Sequence, residues 1–197
     1  MKNYNYIDIP NWKTLRDQII EFKKVAEKSE PESLCWQCYF LDTLKKELPD
    51  VVDAFAKLGL TPRQMILFDN APNNINEKDH KSGKAVFVHI DARDDEREET
   101  DFDPTNAINI PLVNCAESET LFYELLIDDE GEMYRYYEDF YMCGGLNHKM
   151  IKEVDRFKLD KPAILRVNIP HGVYNPTNEI REVATFRCYE NTDHLLK

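Results

Sequence analysis

A mainly β, α+β fold is what this sequence predicts: a jelly-roll or sandwich core preceded by supporting helices. Three observations predict it. From about Asn11 to Leu60 apolar side chains recur at helical spacing. After Thr61–Pro62 the pattern changes to short β-rich runs separated by polar turns. No helical stretch of ten or more residues separates one run from the next, as parallel crossovers would require.

In the first region, Leu15, Ile19, Phe22 and Ala26 recur at steps of three and four, which aligns them on one helix face. The Glu30–Pro31 step ends that helix, because a residue before proline is pushed out of the α region. Two shorter helices are expected over Cys38–Glu47 and Asp50–Leu58, separated by Pro49 and closed by Gly59. In the second region, strands are expected at Gln64–Phe68, Ala85–Ile90, Ala107–Val113, Thr120–Ile127, Met150–Lys158, Ala163–Ile169, Gly172–Tyr174 and Glu182–Cys188. Their number, shortness and even spacing favour a sandwich or jelly roll. The Tyr-rich stretch Gly131–Leu146 reads as an insertion or long loop. The resulting organisation is a helical extension over 1–62 packed on a β-domain over 63–197, expected to form one structural unit.

Composition narrows the class. Ten Phe, ten Tyr and two Trp among 197 residues can build a sizeable core. The formal charge is −12, from 37 acidic and 25 basic residues, so general binding to phosphate backbones is disfavoured and a cationic partner fits better. No window approaches about 18 uninterrupted apolar residues, so no membrane span is expected. The start, Met-Lys-Asn-Tyr-Asn-Tyr, lacks a signal peptide's apolar centre. Five cysteines do not form a disulfide framework, and a reducing, cytoplasmic setting is expected.

The chemistry starts at Val86-Phe87-Val88-His89-Ile90-Asp91, a strand ending in His-x-Asp. Side chains two apart on a strand share a face, so His89 and Asp91 converge while Ile90 points away. An imidazole and a carboxylate are two of the three ligands of a facial triad on iron(II). Alone the pair means little, since five His and 37 acidic residues give about one His-x-acid by chance. The C-terminal segment adds weight: an apolar strand from Ala163, then Pro170-His171-Gly-Val-Tyr-Asn175, the tight loop Asn175-Pro-Thr-Asn, and a last strand opening with Arg181.

In this ordered combination the sequence resembles the iron(II)- and 2-oxoglutarate-dependent oxygenases, over roughly Val86–Tyr189. The resemblance implies a double-stranded β-helix core in which His89, Asp91 and His171 bind Fe(II). It also implies that a basic residue about ten positions after the distal histidine holds the far carboxylate of 2-oxoglutarate; His171 to Arg181 is ten positions. A planar, permanently charged fork suits that role. Many family members carry serine two residues after the arginine. This chain has Val183 there, and Thr185, two further along on the same face, is the candidate replacement. The family's reaction couples oxidative decarboxylation of 2-oxoglutarate to succinate with hydroxylation of a substrate, here a small molecule or a peptidyl side chain.

Two other readings stay open: a cupin-type metal protein without 2-oxoglutarate, and a non-catalytic jelly-roll protein in which the histidines are incidental. The acidic loop Asp91–Asp103 is either a solvated segment or a lid over the site favouring a cationic substrate. Cys35-Trp-Gln-Cys38 resembles a zinc or redox half-site, but no second Cys-x-x-Cys completes it and core packing is expected. His80, His148 and His194 read as surface residues. Tyr134, Tyr136, Tyr137 and Tyr141 read as packing over the barrel.

Overall fold

The computed structural model describes residues 2–29, 36–72, 88, 105–126 and 151–197. Along the chain these form β1 (Tyr4–Tyr6), α1 (Trp12–Ser29), β2 (Trp36–Phe40), α2 (Leu41–Glu47), α3 (Pro49–Ala56), β3 (Pro62–Asn70), β4 (Asn106–Val113), β5 (Glu119–Leu125), β6 (Ile151–Lys158), β7 (Ala163–Arg166), β8 (His171–Tyr174) and β9 (Arg181–Cys188). A 3₁₀ turn, Asp193–Leu196, follows.

The strands make two antiparallel sheets. The larger has the order β1-β7-β4-β9-β3-β2 and the smaller β6-β5-β8. From β4 onward the chain moves from the large sheet to the small (β5, β6), back to the large (β7), to the small (β8) and to the large again (β9). That repeated exchange between two facing sheets is the winding of a double-stranded β-helix, or jelly roll. The expected strand over Ala85–Ile90 lies outside the described residues, apart from Val88.

Side-chain alternation divides the large sheet into two faces. Outward, Met65 and Leu67 of β3, Ile108, Ile110 and Leu112 of β4, and Ala184, Phe186 and Cys188 of β9 meet the helices through Leu15, Ile19, Leu44, Val51 and Phe55. Inward, Ala107, Leu165 and Val183 meet Phe122 and Phe157 of the small sheet. Tyr4 closes one side of this inner core, its ring stacked 4.2 Å from that of Phe157. Behind the small sheet, Val88 clusters with Leu121, Tyr123 and Ile151. Burial pushes the Tyr123 phenol up to about 12. No described helix is long and apolar enough to cross a membrane.

Most elements fall where the sequence places them, with three differences. The expected helix over Cys38–Glu47 begins only at Leu41, because Trp36–Phe40 is a strand registered antiparallel against Gln64–Phe68. Aromatic residues suit a pleated sheet edge, and Tyr39 sets its ring edge-on to Phe22 of α1 at 4.8 Å. Cys38 is therefore a half-buried strand residue with a free thiol. Second, Tyr4–Tyr6 adds to β7 as an edge strand that three residues of sequence did not reveal. Third, β7 stops at Arg166 instead of Ile169, since the chain bends before Pro170, which has no N–H to donate. The α3 helix opens on Pro49, where a missing N–H costs nothing. Gly59, at φ +74°, ends the segment in the left-handed region.

Candidate active site

The inner face of β9 carries Arg181, Val183, Thr185 and Arg187 in alternation, all buried. Arg181 is only 2% exposed. Its Nη1 donates to Asn70 Oδ1 at 2.6 Å. Its Nε is buried with no hydrogen-bond partner. No carboxylate among the described residues lies within ion-pair distance of it. Burial pulls the guanidinium pKa below its ordinary value, opposed by the Cys115 thiol beside it. The same burial pushes that thiol's pKa up, opposed by Arg181. An arginine nevertheless keeps its charge in a protein, so a cation that no described carboxylate neutralises, with an unused donor, lies on the inner face.

The local sequence accounts for the arrangement. Antiparallel register sets Arg181 opposite Asn70 on β3 and Glu182 opposite Asp69. Alternation then turns both acids to the outer face, where Lys23 of α1 binds Asp69 at 2.7 Å and Glu182 at 2.9 Å. Burial acts to lower the Lys23 pKa, but hydrogen bonds to the two carboxylates outweigh it and the net shift is upward. The two acids of the register pair next to Asn70 and Arg181 are thus held by another cation. Arg181 is left with a neutral amide.

The approach to Arg181 is tightly built. Asn175, fully buried, donates from Nδ2 to Asn70 O at 3.1 Å and to Glu179 O at 2.8 Å. Its Oδ1 accepts from Thr177 N at 3.2 Å and Thr177 Oγ1 at 2.7 Å. The carbonyls flanking Arg181 are also held: Asn114 Nδ2 donates to Ile180 O at 3.0 Å, and Cys115 Sγ to Glu182 O at 3.0 Å.

His171 opens β8, in register with Phe122 and so on the same inner face, and is 6% exposed. The two rings lie 6.4 Å apart. Its Nδ1 sits 2.9 Å from Ile169 O. A carbonyl only accepts, so Nδ1 carries the proton, and in the neutral ring the lone pair belongs to Nε2. That is the tautomer a metal-ligating histidine needs. Tyr123 N donates to Pro170 O at 2.8 Å, fixing the backbone just before it.

Of the predicted site residues, the structure brings His171, Arg181 and Thr185 onto the inner faces of the two sheets. His89 and Asp91 lie outside the described residues, as do Cys35, His80, His148, the acidic loop Asp91–Asp103 and the tyrosines 134–141. Among the described residues no group of three or more His, Cys, Asp and Glu side chains could hold a metal ion. Val183, in the position where serine was expected, is 3% exposed and packed in the inner core. His194 is exposed, as expected. Sequence reasoning missed Asn70 and Asn175. The Asn-Pro-Thr-Asn turn signature marks the second, whereas nothing in the strand pattern distinguishes the first.

No protein-family model matches the chain, and no curated protein matches it. Among solved structures it is similar to HygX from Streptomyces hygroscopicus with nickel and 2-oxoglutarate bound, at TM-score 0.49 and 10% identity, over 95% of this chain and 82% of that one. It is also similar to a Pseudomonas putida prolyl-4-hydroxylase, at TM-score 0.45 and 10% identity, over 98% and 95%. EctD from S. alaskensis with bound Fe gives TM-score 0.46 and 12% identity over 95% and 72%. Similarity of this extent leaves the function of the site to be argued from the chain's own residues.

Proposed function

We propose that the protein is a non-haem iron(II), 2-oxoglutarate-dependent oxygenase of the hydroxylase type. The observation that carries this reading is Arg181: a buried, inward-facing guanidinium with an unpartnered Nε and, among the described residues, no carboxylate within ion-pair distance. Burying an unpaired charge is costly, and a ligand carboxylate on the inner face removes that cost. Arg181 holds the remote carboxylate of 2-oxoglutarate, with Thr185 supplying a hydroxyl further along the same face.

His89, Asp91 and His171 are the metal ligands in this reading. The contact of His171 Nδ1 with Ile169 O at 2.9 Å suits a ligand that binds metal through Nε2. Side chains two apart on a strand share a face, so the strand expected over Ala85–Ile90 would present His89 and Asp91 together. When bound, iron(II) with 2-oxoglutarate and dioxygen would supply the oxidising chemistry: one oxygen atom goes to a carbon of the substrate as hydroxyl and the other to succinate, with release of carbon dioxide. Phe122 and Val183 keep the inner face apolar and limit water there. The acidic balance of the chain fits a cationic small molecule or peptidyl side chain as substrate, in a cytoplasmic setting.

Val183 favours a second reading, a cupin-type metal protein that does not use 2-oxoglutarate. Anaerobic titration of the iron(II)-loaded protein with 2-oxoglutarate separates the two. A saturable visible charge-transfer band, lost in His171→Ala and weakened in Arg181→Ala, is the expected result. Iron uptake without the band supports the cupin reading, and no iron uptake refutes both.

A further inference from the structure

We infer that Asn175 is a positioning residue for Arg181, acting through Asn70; this rests on reading Arg181 as the anion-binding residue. Asn175 spends both its N–H bonds and its oxygen on four hydrogen bonds to three residues, using the full capacity of a side-chain amide. One half of the amide folds the loop onto itself through Thr177. The other half reaches across to β3 and takes the backbone carbonyl of Asn70, whose own side chain receives Arg181 Nη1.

The end of β8, the end of β3 and the start of β9 are therefore tied at one buried point. By holding the backbone of Asn70, Asn175 fixes the point from which the accepting side chain reaches Arg181. The guanidinium is consequently set in place before any anion arrives, with Nε unspent. Such preorganisation raises affinity by removing the ordering cost from the binding step. A loop that merely joined two strands would need only the Thr177 half of these bonds.

The test uses full-length protein labelled with ¹⁵N-arginine, the Arg181 Nε–H signal being identified by its loss in Arg181→Met. In Asn175→Ala the exchange of that proton is expected to accelerate at least about tenfold, and the Kd for 2-oxoglutarate on the anaerobic iron(II) protein to rise about tenfold. In an Asn70→Ala background the same substitution should change Kd by less than about twofold, because the two residues act as one unit. Thr177→Val is the structural control: it lowers thermal stability and leaves both readouts unchanged. Asn175→Ser, which removes the donors and leaves a smaller gap, carries the test if the alanine variant does not fold.

Unchanged exchange and unchanged Kd in the Asn175 variants, alongside a stability loss like that of Thr177→Val, overturn the inference and leave the oxygenase reading standing. A wild-type protein that binds no 2-oxoglutarate overturns the oxygenase reading instead. The exchange measurement then still decides whether Asn175 positions Arg181.

Discussion

Two cations meet adjacent rungs of the large sheet from opposite sides. On the outer face Lys23 reaches from α1 to Asp69 and Glu182, which are register partners on β3 and β9. On the inner face, one residue along, the register partners are Asn70 and Arg181. Both cations are largely buried, at 7% and 2% exposure. The outer one has two carboxylates and the inner one has none among the described residues. A buried charge that is neutralised within the chain serves the fold, whereas one left unneutralised within it points to a partner from outside. The chain spends its local acids on structure and keeps Arg181 available.

The comparison can be broken most sharply at Arg181. Arg181→Met should weaken 2-oxoglutarate binding by two orders of magnitude or more, as truncating one member of a buried charge pair costs about 2–5 kcal/mol. The same variant should leave the ligand-free protein as stable or more stable, by about 1–3 kcal/mol, because an uncompensated charge has been removed. Calorimetric titration and urea denaturation check the two halves.

Next in size is Asn70→Asp, which gives the inner cation the carboxylate that the outer one already has. Ligand-free stability should rise by about 1 kcal/mol or more, and 2-oxoglutarate affinity should fall about tenfold. A variant that binds more tightly would contradict the account.

Lys23→Met removes the cation from the outer face. Asp69 and Glu182 are 36% and 25% exposed in their side chains, so water partly screens them. The expected loss is about 1–2 kcal/mol of stability, with the 2-oxoglutarate Kd changed by less than about threefold.

The smallest effect is on pH dependence. Lys23 has its pKa raised above the ordinary 10.5 in the fold. Its contribution to stability is therefore complete below about pH 10.5 and is lost as pH rises through the higher folded value. Urea midpoints measured from pH 9 upward should fall more steeply in wild type than in Lys23→Met. Arg181 stays charged across that window and should add no slope of its own.

The strands were legible because alternation and turn residues repeat often enough to be counted, and β3 through β9 appear within a few residues of expectation wherever they are described. The first and last strands at the edges of the large sheet were not. Tyr4–Tyr6 is too short to show a period, and Trp36–Phe40 runs into Leu41 and Leu44 so that its apolar residues extend the apparent helix. That the last strand opens at Arg181, ten residues after His171, was legible, and β9 begins there. The surroundings of Arg181 were not legible. Asn70 and Asn175 act through single backbone and side-chain bonds that leave no periodic trace, and the inward burial of Lys23 is hidden by Lys24 beside it. That Asp69 and Glu182 turn away from Arg181 depends on which face each takes, which only the register of β3 against β9 decides.

The most direct test of the central claim is isothermal titration of 2-oxoglutarate into anaerobic iron(II)-loaded wild type and Arg181→Met, paired with the stability of both proteins without ligand. The account predicts saturable binding in wild type, its loss in the variant, and no loss of ligand-free stability. Equal binding by both proteins, or a ligand-free Arg181→Met protein destabilised by several kcal/mol, would show that Arg181 belongs to the fold and not to the site.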